Sequence, residues 1–257
     1  MSAREKRVSV GTGKAARDLA VLEQPGGSPG LFWLGGFRSD MTGTKAETLA
    51  RLGRERGLAV TRFDYSGHGR SGGDFLQGTI SRWLEEAEAI FARTQGPQLV
   101  VGSSMGGWLA LLLVRALQAR GENRVQGLVL IAPAIDMTRD LMLNDFTRQE
   151  RDALERQGYV DQPSQYASEP YRITRALIED GEKHLLFGGT IETGCPVVIL
   201  QGGQDRDVPQ AHAIKLMTHL LLDPVTLTLI PDGDHRLSRP EDLELLKRTV
   251  LGLVEGG

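Results

Sequence analysis

The chain has a single cysteine, Cys195, among 257 residues. An internal disulfide is therefore excluded, and the fold must hold by packing alone, which fits a reducing compartment. No apolar run approaches the roughly 18 residues that a membrane-spanning helix needs, and the basic start over residues 1–7 lacks the apolar segment of a secretory signal. Positive charge is in no excess: 30 Lys and Arg stand against 33 Asp and Glu, and no basic cluster is interleaved with aromatics. Nucleic acid is not an expected partner. Internal repeats and low-complexity tracts are also missing. These absences leave a soluble, intracellular protein, expected in the cytoplasm. With 40% hydrophobic residues it can bury an ample core as one α/β domain over 1–257.

Short, β-branched apolar runs recur at 8–10, 19–22, 31–34, 58–63, 99–101, 125–131, 197–200 and 225–230. They read as eight strands. From the third onward most are apolar on both faces and alternate with segments of helical period, which predicts a mostly parallel sheet covered by helices. The helices are expected at 45–56, 81–91, 108–120, 210–221 and 242–253. No helix separates the first two runs, and Gly11-Thr12-Gly13-Lys14 between them predicts a turn and an antiparallel hairpin. Residues 134–193 break the alternation. That stretch is polar, helical in character and too long for a simple crossover, so it reads as a small helical cap inserted beside the functional site.

The most telling motif is Gly102-Ser103-Ser104-Met105-Gly106, which follows an apolar run and passes directly into a helical pattern. A serine hydroxyl attacks poorly by itself. It needs a sharp turn where a base can take its proton and backbone N–H groups can receive the developing charge, and glycines two residues to either side of Ser104 make room for such a turn. Catalytic groups in open α/β sheets collect on the loops that follow strands. Two such loops carry the missing partners: Asp205 after 197–200 and His235 after 225–230. The order Ser104, Asp205, His235 is that of α/β-hydrolases, not of the other triad enzymes. The backbone N–H groups of Phe37 and Met105 are the candidate oxyanion hole. Leu141, Met142, Leu143 and Phe146 form an apolar cluster in the insertion that suits an acyl pocket. His68, Asp207 and Asp136 are the rival base and acids. Asp232, Asp234 and His235 lack the second ligand group that a metal site requires, so neither a metal nor an organic cofactor is expected.

Four segments carry a family resemblance: Gly35-Gly36-Phe37-Arg38-Ser39-Asp40-Met41-Thr42-Gly43-Thr44-Lys45-Ala46, Arg62-Phe63-Asp64-Tyr65-Ser66-Gly67, residues 101–108, and Asp234-His235-Arg236. Together they resemble the α/β-hydrolase superfamily, and within it the domain-containing-protein-10 group of acyl-protein thioesterases and acyl-glucuronide esterases. The likeness runs from about residue 30 to 246 and includes Pro163-Ser164-Gln165-Tyr166; Met41-x-Gly43-Thr44-Lys45 is its most distinctive part. It implies a serine hydrolase acting on a small-molecule ester or an acylated protein, with Ser104, Asp205 and His235 as nucleophile, acid and base. Gln201 departs from the pattern, because many members have histidine before Gly-x-x-Asp. The long N-terminal extension of a mitochondrial member has no counterpart here, so the expected location stays cytoplasmic. The same three side chains also support C–C bond hydrolysis or acyl transfer to an alcohol, and a binding protein that kept the fold is the reading from another class.

Overall fold

The computed structural model describes residues 3–163 and 170–256. Eight strands form one sheet: β1 (Arg4–Val10), β2 (Arg17–Gln24), β3 (Gly27–Leu34), β4 (Leu58–Phe63), β5 (Gln98–Ser103), β6 (Val125–Ile131), β9 (Val197–Gly202) and β10 (Val225–Ile230), in the spatial order 1-2-4-3-5-6-9-10. β1 and β2 pair antiparallel, β2 runs antiparallel to β4, and every later pairing is parallel. The chain is thus a mostly parallel α/β sheet, as the alternation of apolar runs and helical segments indicates.

Period-two alternation splits the sheet's side chains between two apolar layers. On one face Leu31 and Trp33 meet α1 (Thr44–Arg56) and α7 (Pro240–Glu255); on the other Phe32 and Leu34 meet α2 (Ile80–Phe91) and α3 (Met105–Ala119). α3 is apolar almost all round because it lies beneath other elements, whereas α2 turns Trp83, Leu84, Ala87 and Ile90 inward. Local chemistry sets the helix ends. The Thr79 hydroxyl accepts from Arg82 N–H at the start of α2, and α1 stops at Gly57, whose φ of 69° is open to glycine at little cost. α6 (Gln210–Met217) completes the body. It ends four residues short of the expected 221, in a stretch where Leu221 and Leu222 are exposed.

Residues 134–193 hold a π-helical turn (Thr138–Leu143), α4 (Arg148–Gln157), two four-residue strands, β7 (Tyr159–Gln162) and β8 (Tyr171–Thr174), and α5 (Arg175–Gly181). β7 and β8 pair antiparallel with each other and not with the main sheet. The sequence reading placed only helices here. Both strands are too short, and too mixed in polarity, to give a period-two signal. One carboxylate docks the segment on the body and another ties its two ends together. Asp180 accepts from the Ser81 N–H at 2.7 Å and the Ser81 hydroxyl at 2.8 Å at the start of α2, and Asp136 accepts from the N–H groups of Leu186 and Phe187.

Candidate active site

Ser104 stands between β5 and α3 with φ 55° and ψ −120°, a strained conformation for a residue with a Cβ. Three backbone bonds hold it there: its N–H donates to the Ile131 carbonyl at 2.9 Å, and its carbonyl accepts from the N–H groups of Gly107 and Ala134. Steric room makes the turn possible. A Cβ on Gly106 would lie 2.1 Å from the Leu34 carbonyl oxygen, and one on Gly102 would lie 2.3 Å from the Gly106 oxygen. Gly36 serves the same purpose from the loop after β3, since a Cβ there would stand 3.3 Å from that of Ser104. Phe37 follows immediately and lines the same cleft as Ser104.

Two further candidates, His235 and Asp205, arrive from the loops after β10 and β9. His235 Nε2 lies 3.1 Å from Ser104 Oγ, and its Nδ1 lies 2.8 Å from Asp205 Oδ2. A carboxylate can only accept, so Nδ1–H donates to it and Nε2 keeps a lone pair facing the serine hydroxyl. Asp205 is fixed in turn. Its side chain is fully buried, Oδ1 accepts from the N–H groups of Asp207 and Val208, and Oδ2 also accepts from Gln201 Nε2 at 3.2 Å. Gln201 therefore helps to hold the Asp205 carboxylate. The same amide reaches the carbonyls of Gly202 and Val208, while its oxygen is buried without a partner.

Of the rival residues, Asp207 lines the same cleft beside Asp205 and His235, whereas Asp136 and His68 are occupied elsewhere. Asp136 holds the backbone of Leu186 and Phe187, and burial raises its carboxyl above the ordinary range. His68 is buried among Tyr65, Phe75 and Trp83 with Nδ1 on the Ser66 carbonyl, and desolvation lowers its pKa to about 4. His184 meets the Ser81 hydroxyl, His212 the Ile135 carbonyl and His219 the Lys215 carbonyl. Asp232 pairs with Arg239, and Asp234 accepts from Leu237 N–H. Among the described residues Asp205, Asp207 and His235 bring potential metal-ligand atoms within 4.8 Å of one another. Both Asp205 oxygens there already carry hydrogen bonds.

Ser104 and His235 open into a cleft of about 440 Å³. Its lining combines apolar side chains, Ala134, Met137, Leu141, Met142 and Ile173, with donors, Arg38, Ser39, Thr44, Lys45 and Arg236. Leu141 and Met142 are among the residues that the sequence reading assigned to a pocket. Phe146 is not on the wall. It is 5% exposed and packed into the core, with its N–H on the Met142 carbonyl. Ser164, Gln165 and Tyr166, named in the resemblance, lie outside the described residues. Arg38 and Tyr171 were missed. Arg38 has φ 57° and sets its guanidinium 4.7 Å from the Phe75 ring and 5.1 Å from that of Tyr171, which joins the loop after β3 to β8. Only contact across the fold brings these residues together, although Arg38 stood within a segment already singled out.

The model of the alpha/beta hydrolase family matches residues 25–244. The chain belongs to that family. Among curated members, human palmitoyl-protein thioesterase ABHD10, mitochondrial, is 33% identical over 240 residues, covering 93% of this chain and 77% of that protein. The crystal structure of a putative hydrolase from Agrobacterium vitis S4 superposes with a TM-score of 0.96 at 48% identity, over 98% of this chain and 99% of that one. Mouse alpha/beta hydrolase domain-containing protein 10 gives a TM-score of 0.86 at 31% identity over 98% and 99%. One expectation is corrected: the curated ABHD10 relatives are named as mitochondrial, which overturns the cytoplasmic location read from the sequence. No helix of the described residues is long and apolar enough to cross a membrane.

Proposed function

We propose that this hydrolase-family chain cleaves carboxylic esters or thioesters through an acyl-enzyme on Ser104. The observation that carries the reading is the continuous relay from Ser104 Oγ through His235, at 3.1 Å and 2.8 Å, to the buried Asp205 carboxylate. His235 Nε2 takes the hydroxyl proton as Ser104 Oγ bonds to the acyl carbon, and Asp205 stabilises the imidazolium. The carbonyl oxygen, now negative, accepts from the N–H groups of Phe37 and Met105. The tetrahedral centre collapses, the alcohol or thiol leaves with the proton from His235, and a water deprotonated by the same nitrogen releases the acid. Residues 134–193 act as a cap within a single domain, and their apolar wall at Met137, Leu141 and Met142 receives the acyl chain. The leaving group then lies on the donor-rich side. Thioesters of long-chain acids fit the reading, because the curated relatives are named as palmitoyl-protein thioesterases.

Fluorophosphonate labelling tests the nucleophile. Wild-type protein labels and Ser104→Ala does not; folded wild type that resists the probe overturns the proposal. A panel of acyl esters, thioesters and glucuronides then ranks the substrate classes.

A further inference from the structure

Lys45 closes the Met41-Thr42-Gly43-Thr44-Lys45 segment, and the relay described above does not use it. It stands in the first turn of α1 and lines the cleft, and its Nζ donates to the carbonyl of Arg236, the residue after His235. The two loops that it joins are far apart in sequence. Their jobs are nevertheless coupled, since the loop after β3 presents Phe37 N–H while the loop after β10 presents the imidazole.

The second loop needs such a hold. Leu237 sits at φ 44°, a conformation disfavoured for a branched side chain, so the turn following His235 persists only where its surroundings impose it. Asp234 Oδ1 accepts from Leu237 N–H at 2.9 Å and braces the turn from within. Lys45 braces it from outside. Among the described residues no carboxylate lies within ion-pair distance of its ammonium, and a desolvated cation without such a partner is costly unless its contacts are needed. Desolvation lowers its pKa to about 8, with Asp234 and Asp242 favouring the proton and Arg236 opposing it.

We propose that Lys45 is a positioning residue for His235: its ammonium ties the loop after β3 to the loop after β10, fixing the imidazole relative to Ser104 and the oxyanion donor together. The inference rests on the reading of His235 as general base and adds the element that keeps it in register.

The test compares full-length Lys45→Met and Lys45→Arg with wild type on p-nitrophenyl butyrate, with fluorophosphonate labelling rates and melting temperatures measured alongside. Lys45→Met lowers kcat about ten- to a hundredfold, as a small misplacement of a catalytic group does. It slows labelling by the same factor and leaves KM within about twofold. Lys45→Arg restores most of kcat. In wild type kcat falls above about pH 8 as the ammonium loses its proton, and in Lys45→Arg that limb moves to higher pH. An unchanged kcat in Lys45→Met, or a loss confined to KM, overturns the inference; the latter assigns Lys45 to substrate binding. Should Lys45→Met fail to fold, Lys45→Gln and the Lys45→Arg pH limb carry the test. Wild type that neither labels nor hydrolyses defeats the hydrolase reading itself, whereas a labelled wild type with an unaffected Lys45→Met defeats only this proposal.

Discussion

The eight-stranded body and the segment 134–193 are held by different means. In the body, β5 is buried along its whole length, α3 is buried at eleven of its fifteen positions, and apolar layers cover both faces of the sheet. Among its described residues the segment buries eleven apolar side chains, including Ile135, Met137, Phe146, Leu154, Val160, Ile173 and Leu177, but α4 buries just one of its ten residues. Much of its remaining order is polar: the Thr147–Glu150 capping box, the paired Arg172 and Asp161, the Arg139–Glu182 pair, Asp136 on the backbone of Leu186 and Phe187, and Asp180, which docks it on Ser81. Ser104, Asp205 and His235 all project from the heavily buried part, where strain at Ser104 can be sustained. Leu141, Met142 and Ile173 of the cleft lining belong to the segment. Such a division lets chemistry stay fixed while the shape of the cleft changes.

The largest way to sharpen the contrast is to strike the body at its chemistry. Ser104→Ala is expected to lower ester turnover by at least about 10⁴-fold with the melting temperature preserved. Residual turnover near the wild-type rate would place the nucleophile elsewhere. Asp205→Asn comes next, with a loss of about 10³- to 10⁴-fold in kcat, because an amide in place of the carboxylate no longer fixes the imidazole tautomer. A kcat within tenfold of wild type would argue against Asp205 as the partner acid.

Stability separates the two regions further. Phe146→Ala is expected to cost about 3 to 5 kcal/mol in urea unfolding, since the ring is buried, and to leave the ratio of long-chain to acetate turnover unchanged. A shift in that ratio with intact stability would return Phe146 to the cleft wall. His68 gives the body a pH signature. Its folded pKa of about 4 lies below the ordinary value of 6.5, so the unfolded chain binds the proton more readily. The neutral ring's stability is complete above about pH 6.5 and is lost as pH falls through that window, by about 3 kcal/mol in all. Urea titrations at pH 7 and 4.5 should therefore differ less in His68→Gln than in wild type, and equal differences would contradict this account. The smallest effect is at the cleft wall. Leu141→Ala with Met142→Ala is expected to raise KM for a long-chain ester by about tenfold while acetate changes little, as one to a few lost apolar contacts do; parallel changes in both would remove these side chains from acyl binding.

Much of the fold was legible because the sheet's covered strands are apolar on both faces and its helices carry a stripe, so composition and period agree at each step. The strands of the insertion were not. Four-residue β7 and β8 pair only with each other, and their polar positions give them no period to detect. In the candidate site, Ser104 was legible because its turn demands glycine at 102 and 106, and His235 and Asp205 because each follows an apolar strand. Phe146 was misread for a plain reason: an apolar side chain near a site looks the same in sequence whether it faces the cleft or the core.

The order of the strands' apolar runs, the glycine-flanked serine and the carboxylate and imidazole at strand ends follow from the sequence alone, because each is a local demand of backbone geometry or burial. Which side chains meet is another matter. That Lys45 reaches the Arg236 carbonyl, that Gln201 shares the Asp205 oxygen with His235, and that Arg38 lies between Phe75 and Tyr171 depend on contacts between segments distant along the chain. Only the assembled sheet, which brings the loops after β3, β5, β9 and β10 to one edge, fixes those distances.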